Sequence, residues 1–136
     1  MYIGLNIRDY NIKNIFYSEQ TKNTVIENSF FSRIFYSTEN INLNGCFFTI
    51  DLDEFNDNNI LIKLLDKIEN EILSLYKNTG VKYLKFKDSI VNQLINKNGK
   101  NKNKKIVVKI SGIWDNYNTY GLTFKVINID SNKLIT

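Results

Sequence analysis

Apolar and polar positions alternate most regularly over Lys105–Asn128, KIVVKISGIWDNYNTYGLTFKVIN. In its first half, Ile106, Val108, Ile110, Gly112 and Trp114 share one face of an extended chain, and Lys105, Val107, Lys109, Ser111 and Ile113 share the other. In its second half, Tyr120, Leu122, Phe124 and Val126 lie opposite Gly121, Thr123, Lys125 and Ile127. A period of two with β-branched and aromatic enrichment predicts two strands. The linker Asp115-Asn116-Tyr117-Asn118-Thr119 is rich in turn formers and predicts a hairpin. On this parity Trp114 belongs with Ile110 on the core face, although it can equally sit among exposed rings.

The same pattern places the remaining elements. Tyr2–Ile7, Ile12–Tyr17 and Thr24–Glu27 read as short strands. Ser29–Ser37, SFFSRIFYS, reads as a stronger one, with Phe31, Arg33 and Phe35 on one face and Phe30, Ile34 and Tyr36 on the other. Arg33 is hard to place in a dry core, so its face is expected to meet a ligand. Ile41–Ile50 reads as a second hairpin around Asn44-Gly45, the favoured pair for a type I′ turn. Asp57 or Asn58 can cap a helix over Asn59–Asn78, where Leu61, Leu64, Leu65, Ile68, Ile72, Leu75 and Tyr76 recur at three- and four-residue spacing. Gly80 reads as its stop, Val81–Phe86 as extended, Asp88–Ile95 as a shorter helix, and Asn96–Lys104 as a polar loop. The last strand should end near Asp130, with a short tail behind it. The expectation is one α+β domain over 1–136. It holds a mainly antiparallel sheet or an OB-like, partly closed barrel, with one long and one short helix before the C-terminal hairpin.

Composition narrows the chemistry. The 136 residues contain no His, no Pro, no Ala and a single Cys. Without His, nucleophilic catalysis through a Ser-His or Cys-His pair and zinc binding by the usual ligand sets are excluded. Cys46 alone forms no intrachain disulfide. No run of about 18 apolar residues is long enough to span a membrane, and the start does not read as a signal peptide; an intracellular setting is the default expectation. The absence of Ala and Pro beside abundant Asn, Ile and Lys reflects AT-rich codons, so the placement of the lysines carries information and their number does not. Residues 1–57 hold four basic and eight acidic groups, whereas 82–109 hold nine lysines against Asp88 alone. That block, leading into the hairpin, is a plausible footprint for a polyanion.

Enzymatic motifs are sparse. Neither G-x-x-x-x-G-K nor G-x-G-x-x-G occurs. Asp51, Asp53, Glu54 and Asp57 follow an apolar strand, and Asp-x-Asp at a strand end can hold Mg²⁺. The arrangement is superficially similar to the first motif of haloacid-dehalogenase phosphatases, which also need a downstream acidic pair. In the later part of the chain, beyond residue 80, the acids are Asp88, Asp115 and Asp130, and none is paired. The cluster reads instead as carboxylates drawn to a helix N-terminus. No catalytic residue, metal or other cofactor is expected.

Single-strand binders combine basic grooves with rings that stack on bases. The candidates for such a surface are Arg33, Phe35, Lys100, Lys102, Lys104, Lys105, Lys109, Trp114, Tyr117, Tyr120 and Lys125. Two segments, SFFSRIFYSTENINLNGCFF and VVKISGIWDNYNTYGLTFKVI, resemble segments of small proteins from large AT-rich DNA viruses. There an F-x-R-I-x-Y-S strand precedes an N-G hairpin, and a K-I-S-G-I-W strand pairs with a Y-G-L-T-F-K strand. The resemblance covers roughly a third of the chain. It implies a viral replication or accessory protein that binds single-stranded DNA inside the infected cell. The chain departs from many such binders by ending in DSNKLIT rather than in an acidic tail. The expectation is therefore a non-enzymatic single-stranded DNA-binding protein. The alternative is a protein–protein module, a virion or host-interaction protein that can form a homodimer through the same rings.

Overall fold

The structure, a computed structural model, describes residues 5–22, 29–55, 57–76, 80–94 and 105–128. The strands in chain order are β1 (Leu5–Asn6), β2 (Ile15–Tyr17), β3 (Thr21–Lys22), β4 (Phe30–Ser37), β5 (Asn42–Asn44), β6 (Cys46–Asp51), β7 (Val81–Lys82), β8 (Lys105–Asp115) and β9 (Thr119–Asn128). Two helices, α1 (Asn58–Leu75) and α2 (Phe86–Leu94), flank β7. Short 3₁₀ turns take the last residue of the first predicted strand, at Ile7–Asp9, and the first half of the second, at Ile12–Asn14, and residues 2–4 of the first lie outside the described residues. Asn6 and Asn11 start them by accepting hydrogen bonds two residues on, as Asx side chains do.

The predicted C-terminal hairpin is the centre of the fold. β8 runs antiparallel to β9 along its whole length. On its other side β8 pairs first with β6, through Lys105–Ile110, and then with β4, through Gly112–Asp115. The sheet is mixed and open. β1–β6 and β7–β9 are parallel pairs, and the other strand pairs are antiparallel, in keeping with the expected mainly antiparallel sheet. Among the described residues the sheet does not close into a barrel, because β1 and β2 end the strand path without pairing to each other.

Asn44-Gly45 does not make the predicted hairpin. Only Gly45 has positive φ, 102°, whereas a type I′ turn needs it at both central residues. β5 pairs back onto β4, and after Gly45 the chain steps across to pair with β8. The pattern of residues 41–50 was compatible with either partner, and the vacancy beside β8 is a tertiary fact.

α1 begins where the sequence predicted, with Asp57 accepting a hydrogen bond of 2.9 Å from Asn59 N. Asp57→Ala should cost about 1 kcal/mol of stability, read as a melting temperature lower by about 2–4 °C. α1 stops at Leu75, so Gly80 is not its cap. Its apolar stripe, Leu61, Leu65, Ile68, Ile72 and Leu73, packs with Phe86, Ile90 and Leu94 of α2. Both helices cover the sheet face formed by Ile34, Phe48, Ile50, Ile106, Val108, Ile110, Ile113 and Leu122. The Phe86 ring meets Phe124 edge-on at 5.1 Å. The expected strand at Thr24–Glu27, the Asn96–Lys104 loop and the tail after Asn128 lie outside the described residues.

Candidate functional site

Residues on the opposite face of the sheet follow from the register. Cross-strand partners share a face. β6 contributes Phe47, Thr49 and Asp51, opposite Lys109, Val107 and Lys105 of β8. β9 contributes Ile127, Lys125, Thr123 and Gly121. β4 contributes Phe31, Arg33 and Phe35, and β2 contributes Phe16 opposite Phe35. No described helix packs here.

One irregularity decides the character of this face. Ile110 pairs with Phe124, but Gly112 pairs with Thr123, so β8 carries one extra residue at Ser111. Such a bulge reverses the in–out alternation beyond it. Ile113 therefore turns inward, 1% exposed, and Asp115 follows it. Trp114 turns outward, onto the face of Lys109 and Lys125. This corrects the parity that grouped Trp114 with Ile110 on the core face. The sequence held one signal: an isolated glycine inside a strand pattern marks a bulge or a close approach, and Gly112 is that residue.

Gly112 and Gly121 act as seats for the outer rings. A Cβ on Gly112 would fall 2.6 Å from Phe31 Cζ, and one on Gly121 would fall 3.0 Å from Trp114 Cζ2. The indole also meets Tyr83 edge-on, with centroids 5.9 Å apart. Beside them, Lys109 Nζ lies 5.3 Å from the centre of the Phe47 ring, a cation–π contact. Phe31, Phe35, Phe47 and Trp114 are half-buried, while Phe16 and Tyr83 are more than half exposed. Phe16, Phe31, Phe47 and Tyr83 were not singled out from the sequence. Phe31 was recoverable from its parity with Arg33 and Phe35, but the others needed the strand register.

The face is strongly biased in charge. Arg33 and Lys125 are exposed and Lys109 is half-buried. Among the described residues, none of the three is in a salt bridge. Lys105 differs, since its ammonium lies 3.7 Å from Asp51. Asp51 is the single acid that the strand register places on this face.

The other candidates fall elsewhere. Tyr120 is 4% exposed and points into the core, tilted against Tyr76 at 5.7 Å, so it offers no surface for stacking. This corrects its place among the expected stacking rings, and its parity, shared with Leu122, was the signal against that place. Tyr117 is 66% exposed at the turn, with φ of 76°, and its ring packs edge-on against Phe30 at 5.0 Å. Phe30 belongs to the helix-side parity, so Tyr117 is not part of the Trp114 surface. Lys100, Lys102 and Lys104 lie outside the described residues.

Asp115 anchors the hairpin tip from the buried side. Its carboxylate accepts from Tyr76 Oη at 2.7 Å, Gln20 Nε2 at 3.0 Å and Tyr117 N at 2.8 Å. Burial, and then this carboxylate, push the Tyr76 hydroxyl up to about 12. The Asp51–Asp57 cluster is taken up locally. Asp51 accepts from Asp53 N, Asp57 caps α1, and Glu54 accepts from Asn6 Nδ2 at 2.7 Å. The Arg8 guanidinium donates to the Glu54 carbonyl and lies over the Phe55 ring. These roles are those of turn and helix starts.

Comparison with protein-family models, with curated proteins and with solved structures gives no match for this chain.

Proposed function

We propose that the helix-free face binds single-stranded nucleic acid, without catalysis, with single-stranded DNA in viral replication as the setting implied by the sequence resemblance. The observation that supports this reading is the bulge at Ser111, which gathers Trp114, Phe31, Arg33, Lys109 and Lys125 on one face. Rings supply base stacking that tolerates any sequence, and cations outside salt bridges are free to meet phosphates. Duplex DNA keeps its bases in the stack and offers such rings little.

Trp114 is the only tryptophan, so its fluorescence reports from the proposed site itself. Titration with oligo(dT) of twenty nucleotides should quench it, more tightly than the matching duplex does, and the affinity should fall steeply with salt. Replacing Arg33, Lys109 and Lys125 together with Gln should lower the log–log salt slope by about 2, at roughly 0.7 for each single-strand phosphate contact. Equal binding of duplex, or a slope untouched by the triple variant, would refute the reading.

A second reading rests on Val81, Tyr83 and Leu84, which are 69%, 52% and 47% exposed at the β7 edge beside Trp114. An apolar cluster of this kind suits a protein partner or a second copy of the chain. Self-association that is insensitive to salt and lost on Tyr83→Ser and Leu84→Ser would favour it.

A further inference from the structure

Resting on the single-strand reading of this face, we propose that the ligand lies along β4 as an unpaired strand of at least three nucleotides. Its outer two bases meet two separate ring pairs, and the middle nucleotide's phosphate meets Arg33. The alternation of β4 puts Phe31, Arg33 and Phe35 in a row on the helix-free face. Residues four apart on a strand are about 13 Å apart, at 3.3 Å each. Each end of the row is doubled by a ring directly across the sheet. Phe31 stands opposite Trp114 of β8, and Phe35 stands opposite Phe16 of β2. Directly opposed residues hold their Cβ atoms about 4.5–5.5 Å apart, so each end roots two rings side by side on one face. Between the two ring pairs, the side chain that β4 places on this face is the exposed Arg33.

The spacing selects the stoichiometry. A stacked strand advances about 3.4 Å per nucleotide, and bases resting on separate protein rings cannot stack on each other. An unstacked strand with its backbone extended advances further per nucleotide than that. The about 13 Å between the ring pairs is then spanned in fewer steps than a stacked strand would take, and the arrangement proposed is two, with bases one and three on the ring pairs and the intervening phosphate over the guanidinium. A dinucleotide reaches only one pair.

The test is a length series of oligo(dT) with two, three, four and six nucleotides, titrated at low salt by Trp114 fluorescence. Affinity should rise sharply from two to three, by roughly five- to a hundred-fold for the second stacked base, and change little from three to four. Phe35→Ala should remove that step, so that three nucleotides bind no more tightly than two. Phe35 is half-buried, so a melt of the free variant is required. If that variant does not fold, Phe16→Ala, at an exposed position, should weaken the same step. Equal increments at every added nucleotide, or a step that survives both variants, would overturn the three-nucleotide arrangement while leaving single-strand binding intact. Failure of the twenty-nucleotide strand to bind would remove both readings together.

Discussion

Gly112→Ala is expected to disrupt the junction of β4 and β8. A Cβ at this position falls inside contact distance of the Ser32 carbonyl oxygen and lies 2.6 Å from Phe31 Cζ. The ring can swing aside, but the carbonyl belongs to the backbone of the paired strand and cannot move without opening the ladder. Overpacking usually costs about 1–3 kcal/mol, and a clash with paired backbone belongs at the top of that range or above it. At the midpoint of unfolding, a loss of about 3 kcal/mol lowers the melting temperature by roughly 6–12 °C for a chain of this size. The control is Phe31→Ala combined with Gly112→Ala. If the carbonyl is the obstacle, the double variant regains little. Full rescue would mean that the ring alone excluded the side chain. In both cases oligonucleotide binding should weaken, because Phe31 and Arg33 are carried by the strand that is displaced.

Glu69 should give the second large effect. It lies on α1, is 1% exposed, and accepts a hydrogen bond of 3.0 Å from Phe86 N at the start of α2. Backbone N–H groups of Lys87 and Lys85 also favour its ionised form. It therefore does from a neighbouring helix what an N-cap does from within a chain. Glu69→Ala leaves these donors without their acceptor, at a cost of about 3 kcal/mol. Glu69→Gln keeps one carbonyl oxygen and should lose less. Burial outweighs the hydrogen bonds and raises the carboxyl above its usual 4.5. The folded chain then holds this proton at pH values where the unfolded chain has lost it. Stability from this group is complete below the usual value and declines as pH rises through the raised one. Urea melts across that interval should show the decline in the native protein and not in Glu69→Gln. A decline of the same size in the variant would assign the effect to other groups.

These two residues show where local pattern stops being informative. Glu69 looks like a solvent-facing position between Ile68 and Asn70, yet it is buried because α2 folds back over it. Nothing within a few residues of Glu69 encodes that neighbour. Gly112 looks like a weak point in a strand, and it is the position at which β8 changes partner from β6 to β4. Trp114 could not be placed on either face from its pattern for the same reason. Parity counted from Ile110 holds only while the strand has no extra residue, and one inserted residue reverses every side chain after it. By contrast, Arg33 came out on the face its strand pattern required, because β4 alternates without interruption along Phe31, Arg33 and Phe35. The turn at Asn44-Gly45 shows the opposite limit. Its chemistry permitted a hairpin, but whether β5 pairs with β6 or with β4 depends on which edge is free.

The sequence by itself determined the C-terminal hairpin, the amphipathic α1 with its Asp57 cap, the α+β class and the placement of Arg33 beside Phe31 and Phe35. Each depends on periodicity or capping within a single element, where the physical cause lies a few residues away. Only the tertiary structure decided the parallel edge pairs, the open sheet and the assembly of one ring-and-cation face from β2, β4, β6, β8 and β9. Those depend on strand order and on a bulge in register, which arise from pairing between distant segments and leave little trace in the local alternation.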